Sequence, residues 1–286
     1  MNIHKLGKQQ KLLGLALGGG GARGLAHIGV LKVLSRNGIK ISCLSGCSMG
    51  GIIASTYAIG LSIDEIENIA KRLNSKREIL KLVDRTPNRR GLLAGKNVRK
   101  YLSNHIDPTT RIEDSLIPLC MNAVDLISGK EILLDKGNLI DSIMATTAVP
   151  GFFPPVEIGP YRLVDGGVLD DVPVKYLKGS VAEVILAVDV HQQNQHNSPI
   201  NDARQHEHIP MLLPGIVQDF YRVEMIMTST LVEKNMQEFP PDLLINPAIP
   251  DDITSLFGFN RVNEIIRAGE EAMESKLSEL FHLLTN

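Results

Sequence analysis

The sequence predicts an α/β protein with a parallel central sheet. Two patterns carry that expectation. Residues 12–59 read as strand, helix, strand, helix, and strands joined through helices pair in parallel. Residues 183–190 add a further strongly apolar strand.

Taken in order, 12–17 is a buried strand that runs into Gly18, Gly19, Gly20 and Gly21. Leu25, Ile28, Leu31 and Leu34 make a helical stripe that stops at Gly38. Residues 41–44 are a second short strand and 50–59 a second helix. Ser62 with Glu65 is a capping box that opens a third helix. Residues 75–95 are basic and broken by Pro87 and Gly91, the signature of an insertion or flexible loop. Residues 118–126 and 131–134 flank Ser128-Gly129 as one hairpin, and 156–158 and 162–164 flank Gly159-Pro160 as another. Between them, 138–147 is a short helix closed by Pro150-Gly151. Residues 216–238 and 260–284 read as long amphipathic helices, with Ile216, Phe220, Val223 and Met227 assigned to the core. The expectation is one domain over 1–286, with a motif-bearing core at about 12–190 and a helical C-terminal part at about 210–286.

Composition excludes several classes. Aromatics make up 4% of the chain and Trp is absent, so a base-stacking nucleic-acid surface is not expected. Lys5, Lys8 and Lys11 precede only a short apolar run, without a cleavage site, and no stretch reaches the ~20 apolar residues of a membrane span. Cys43, Cys47 and Cys120 are sparse and lack metal spacing, which points to a reducing compartment. The expected location is cytoplasmic, with room for peripheral contact to a membrane. Charge is uneven: residues 1–100 hold 18 basic and 5 acidic residues, the remainder 12 and 27. The basic stretch 71–100 suggests an anionic partner such as lipid headgroups, against the plainer reading of a solvated face. Histidines are frequent in 191–208, where irregular spacing favours a polar loop over a metal site.

Three motifs carry chemistry. Gly46-Cys47-Ser48-Met49-Gly50 is a G-x-S-x-G between an apolar strand and a helix rich in small residues. A nucleophilic Ser on so sharp a turn needs strained backbone angles, and flanking Gly46 and Gly50 avoid the clashes. The spacing alone arises by chance in roughly one chain in ten, so its context does the discriminating. Gly18 to Gly24 also fits a dinucleotide fingerprint, but the first acidic residue after it is Asp64, too far on for a ribose. No Lys follows as a P-loop demands. What remains is a cradle of backbone N–H groups from Gly19, Gly20 and Gly21 that can hold an oxyanion, with Arg23 supporting the loop or adding positive potential. The third motif is Asp165-Gly166-Gly167 at a strand end. By itself it reads as an Asp-Gly turn; beside the other two, Asp165 is a candidate base for Ser48.

In order and context these blocks resemble the patatin-like phospholipase family: Gly19, Gly21 and Gly24, then Gly46, Ser48 and Gly50, then Asp165 to Gly167, with the 148–155 segment before the Asp. The resemblance covers about 12–190 and is nearest to the bacterial branch related to neuropathy target esterase. It implies a three-layer α/β/α fold with a mostly parallel sheet. It also implies a Ser48–Asp165 dyad without catalytic histidine, and hydrolysis of phospholipid or lysophospholipid esters without metal or cofactor. Cys47 stands where Thr is usual and Asp171 where Asn is common. Two rivals remain. One is an α/β-hydrolase with a Ser-His-Asp triad drawing on His191, His196, His206, His208 or His282. The other is a catalytically silent lipid-binding protein.

Overall fold

The computed structural model describes residues 10–84, 91–191, 215–255 and 258–286. Its strands are β1 (Leu13–Leu17), β2 (Ile41–Gly46), β3 (Leu119–Asp125), β4 (Glu131–Leu134), β5 (Val156–Ile158), β6 (Tyr161–Asp165), β7 (Val184–Val188) and β8 (Leu243–Ile245). They form one sheet in the order β5-β6-β3-β2-β1-β7-β8, with β4 also paired to β3. β1, β2, β3, β7 and β8 pair in parallel, whereas β4, β5 and β6 join antiparallel. The parallel core is therefore extended by two hairpins.

Alternation along the strands sets the layers. Leu13, Leu15 and Leu17 of β1, with Val184, Leu186 and Val188 of β7, face one core. Ala16, Ile185 and Ala187 face another. Side chains of successive strand residues point to opposite faces, so a strand buried on both sides loses its polar positions. The helices are α1 (Ala26–Arg36), α2 (Ser48–Ala58), α3 (Ile63–Lys71), α4 (Lys76–Leu82), α5 (Lys96–Ser103), α6 (Leu139–Thr146), α7 (Gly215–Glu238) and α8 (Val262–Thr285). Residues of α1, α2, α3, α6 and α8 build the first core, and Val232 and Met236 of α7 join the second. The result is the expected α/β/α arrangement with one thick and one thin helical layer.

Local signals behave as read. Ser62 and Glu65 form a complete capping box at α3, and Gly129 and Gly159 turn their hairpins with φ of 66° and 58°. Other elements depart from expectation. The stretch 75–95 is not a plain loop, because α4 lies within it and α5 begins just after it; 85–90 fall outside the described residues, as do 192–214, which hold most of the His-rich segment. The C-terminal part is not wholly helical, since β8 extends the sheet beside β7. Val223 and Met227, assigned to the core, are 54% and 56% exposed. Val232 is buried instead, while the side chains of Ile216 and Phe220 lie outside those described. Finally, α8 crosses α1 with backbones in contact: a Cβ on Gly269 would lie 1.9 Å from the Ala26 carbonyl oxygen, and one on Gly29 2.0 Å from that of Ile266.

Candidate active site

Ser48 sits where β2 gives way to α2. Cys47 is extended, and Ser48 turns to φ 50°, the one positive φ outside glycine among the described residues. An L side chain in that region stores about 1–3 kcal/mol of strain and persists only where the surroundings hold it. Here the Cys47 N–H donates to the Leu17 carbonyl at 3.1 Å, and the Ser48 N–H donates to the Thr146 hydroxyl at 3.1 Å. The flanking glycines are sterically required. A Cβ on Gly46 would lie 2.7 Å from the Gly50 carbonyl oxygen, and one on Gly50 2.2 Å from that of Leu17.

Sheet register brings the Asp165 motif to the Ser48 turn. On β3, Met121 pairs with Gly46 and Ala123 with Asp165, so the ends of β2 and β6 arrive at neighbouring positions. Asp165 Oδ1 accepts the Gly167 N–H at 2.9 Å and the Cys47 thiol at 3.5 Å. Burial and then the nearby Asp171 charge push the Asp165 carboxyl up to about 7, against hydrogen bonding from Gly167 and the Ser48 side chain. Gly166 packs on the Asn122 side chain and Gly167 on Asp171.

The glycine loop follows β1. Gly20 and Gly21 take φ of 123° and 53°, and a Cβ on Gly21 would lie 1.9 Å from the Ser255 carbonyl oxygen. One expectation needs correction. The Gly19 N–H is not free for an oxyanion, because it donates to the Asp171 carbonyl at 3.0 Å. The N–H groups of Gly20 and Gly21 have no hydrogen-bond partner among the described residues, and neither does that of Met49 in the first turn of α2. Unpaired N–H groups at the start of a helix are the usual donors to an anion. Arg23 supports the loop: buried, it donates from Nε to the Val190 carbonyl at 2.6 Å and from Nη1 to that of Ile253 at 2.9 Å. Gly24 gives room to Met49.

Sequence reasoning missed several groups. Thr146 had no motif to mark it. His27 is buried with Nε2 2.7 Å from the Gly18 carbonyl; burial lowers it to about 4, so the ring is neutral and Nε2–H donates. His191 lies in the stretch read as a polar loop, yet it is buried. Its Nδ1 is 2.7 Å from Asp189 Oδ1 and its Nε2 3.1 Å from Asp171 Oδ2. Burial opposes the charged ring, but Asp171 and Asp189 overcome that and hold it at about 9. Burial raises Asp171, and burial with the Asp171 charge raises Glu224 of α7 to about 7.

Cys47, Asp165 and Asp171 bring ligand-type atoms within 4.8 Å of one another. Burial pushes the Cys47 thiol well above its ordinary value, and it donates to Asp165.

Residues 15–178 match the family described as patatin-like phospholipase, more than half of the chain. The chain belongs to that family. An uncharacterised NTE family protein of Mycobacterium tuberculosis is 35% identical over 197 residues, which cover 69% of this chain and 53% of that one. The lysophospholipase NTE1 of Scheffersomyces stipitis is 31% identical over 180 residues, covering 62% of this chain and 12% of the yeast protein. This chain thus spans about half the length of the mycobacterial relative and a small part of the yeast one. Among solved structures, VipD from Legionella pneumophila superposes with a TM-score of 0.53 over 95% of this chain and 67% of its own, at 14% identity. That likeness shows the patatin fold, as expected. No described helix is long and apolar enough to cross a membrane.

Proposed function

We propose that this chain is a serine acyl hydrolase of phospholipid or lysophospholipid esters, working through Ser48 and Asp165. The observation that carries the reading is the strained Ser48, next in chain to Cys47, whose thiol lies 3.5 Å from the buried Asp165 carboxyl that is raised to about 7. A base near 7 is half ionised at neutral pH and strong enough to take a hydroxyl proton in the transition state. Asp165 accepts the Ser48 proton, and Ser48 Oγ attacks the ester carbonyl carbon. The N–H groups of Gly20 and Gly21 receive the oxyanion. The alcohol leaves with the proton from Asp165. Water, deprotonated by Asp165, then releases the fatty acid and restores Ser48.

A triad is less well supported. Among the described histidines, both ring nitrogens of His191 face carboxylates, His27 donates to Gly18, His105 packs edge-on to Tyr101, and His282 contacts Asn286. His196, His206 and His208 lie outside the described residues.

Lipid as substrate class rests on the family and on the name of the yeast relative. A cleft of about 260 Å³ combines Lys96 and Arg99 with Met144, Phe153 and Val156, a lining suited to a lipid, and neither Ser48 nor Asp165 lines it. The basic stretch also exposes Leu80, Val83 and Leu92 among its cations, which suits peripheral contact with an anionic membrane. Free Cys43, Cys47 and Cys120 support a cytoplasmic setting. The whole chain is taken as one folding unit, because β8 and α8 complete the sheet and its helical layer.

Replacing Ser48 with Ala should abolish p-nitrophenyl ester turnover and fluorophosphonate labelling. Undiminished turnover refutes the reading, and a wild-type protein inert toward every phospholipid and lysophospholipid in a mass-spectrometry panel favours the silent lipid-binding alternative.

A further inference from the structure

Asp171 touches both halves of the site. Its carbonyl accepts the Gly19 N–H, and its carboxylate fills the space a side chain would need at Gly19 and at Gly167, 2.2 Å and 2.4 Å from where each Cβ would stand. A negative charge is thus packed between the loop that receives an oxyanion and the turn that carries the base. Both neighbours suffer from it, since like charge resists a new anion and resists ionisation of Asp165. Hydrogen bonding alone does not neutralise it: Asp171 Oδ2 is buried without a well-aligned partner. What faces it is the ring of His191, 3.1 Å away, held from behind by Asp189 at 2.7 Å. Asp189 is fixed in turn by the His191 N–H at 2.9 Å and the Asn246 amide.

Building on the Ser48–Asp165 reading, we propose that His191, oriented by Asp189, is a positioning residue that cancels the charge of Asp171, so that base and oxyanion loop work in a nearly neutral surround. In this arrangement an Asp at that position requires a cation at His191, and the two act as a unit.

The charged and titratable groups around the pair are few. His191 faces Asp171 and Asp189, with Arg23 and His27 nearby. Asp171 faces His191, Asp189, Cys47 and, from α7, Glu224, with Asp165 beside it. His191 holds its proton up to about 9, so compensation is intact at neutral pH and fails above that. A Ser–Asp dyad by itself has no group that loses activity there.

The test is kcat/KM against pH on a p-nitrophenyl ester for wild type, Asp171→Asn, His191→Gln and the double variant. Wild type should show a basic limb centred near pH 9. Asp171→Asn should lose that limb, and its acid limb should move down by about 1 pH unit. His191→Gln should lower kcat/KM at pH 8 about tenfold, and that penalty should fall below about twofold once Asp171 is Asn. An independent readout covers the case in which His191→Gln does not fold. The imidazole of His191, followed by NMR, should titrate near 9 in wild type and clearly lower in Asp171→Asn. A basic limb that survives in Asp171→Asn, additive effects of the two substitutions, or an unshifted imidazole each overturn the proposal. Ser48→Ala is the separating control. If it stays active the dyad reading falls, whereas an inactive Ser48→Ala beside an unchanged Asp171→Asn profile removes only the role of His191.

Discussion

Replacing Gly50 with Ala tests how closely the nucleophile must sit against the glycine loop. The added Cβ would stand 2.2 Å from the Leu17 carbonyl oxygen and 2.4 Å from that of Gly18. Both atoms are backbone, at the end of β1 where the loop begins, so neither can rotate away. Restoring ordinary contact requires the first turn of α2 to retreat by about 1 Å, a strain of about 1–3 kcal/mol. Ser48 rides on that turn, so the same movement draws its hydroxyl away from the loop. A misplacement of about 1 Å between reacting groups can cost about a hundredfold in rate. The expected result is a folded protein with a lower urea midpoint and kcat/KM down about 100-fold, with fluorophosphonate labelling slowed in parallel. Gly38→Ala is the comparison. Its Cβ meets nothing within 4 Å and its φ is +68°, so it should lose about 1 kcal/mol of stability and keep full activity. A folded Gly50→Ala enzyme that works within about twofold of wild type would refute the steric argument.

Three further outcomes are expected. Because Asp165 must be ionised to act as a base and is held at about 7, kcat/KM should fall about tenfold for each pH unit below that value; a plateau down to pH 5 would assign the proton to another group. Arg23→Met strips the buried Val190 and Ile253 carbonyls of their donor, at about 1–3 kcal/mol each, so the urea midpoint and kcat should both drop, and Arg23→Lys should not restore them. Co-sedimentation with anionic vesicles should weaken with salt, and Lys76→Glu with Arg77→Glu should reduce it by about 1 kcal/mol per charge removed; binding that ignores salt and lipid charge would contradict a role for the basic stretch.

The features legible in sequence are those that chain neighbours determine. Ser48, Gly46 and Gly50 share one turn, Gly18 to Gly21 another, and the Ser62–Glu65 box closes within four residues, so spacing alone exposes them. Strand ends facing one another do not lie in any local pattern. Asp165 could be nominated as a base, but only the pairing of Gly46 and Asp165 at neighbouring positions on β3 explains why it reaches the elbow. Thr146, His191 and Asp189 carry no motif: Thr146 reaches Ser48 from the end of α6, and His191, held by Asp189, reaches Asp171 from beyond the end of β7. β8 is three residues long and adds too little periodicity to stand out beside α7. The stripe on α7 misled for a related reason: periodicity finds an apolar face but not which of its positions are covered, and Val232 rather than Val223 is buried. Gly19 shows the limit most sharply. A run of glycines predicts available N–H groups, and only the fold reveals that Asp171 already occupies one of them.

The seam between the glycine loop and the segment at 253–255 bears on how this scaffold can be cut and recombined. Every motif of the site lies before residue 170, and the family match ends at residue 178. Yet Gly21 rests on Ser255, the Ala22 N–H donates to the Ser255 carbonyl at 3.0 Å, and Arg23 reaches the carbonyl of Ile253. A fragment trimmed to the matched boundary would keep Ser48 and Asp165 while losing the floor beneath the oxyanion loop. Grafts and chimaeras of this protein should therefore carry the C-terminal third with the motifs, since that third is the mould in which the loop is cast.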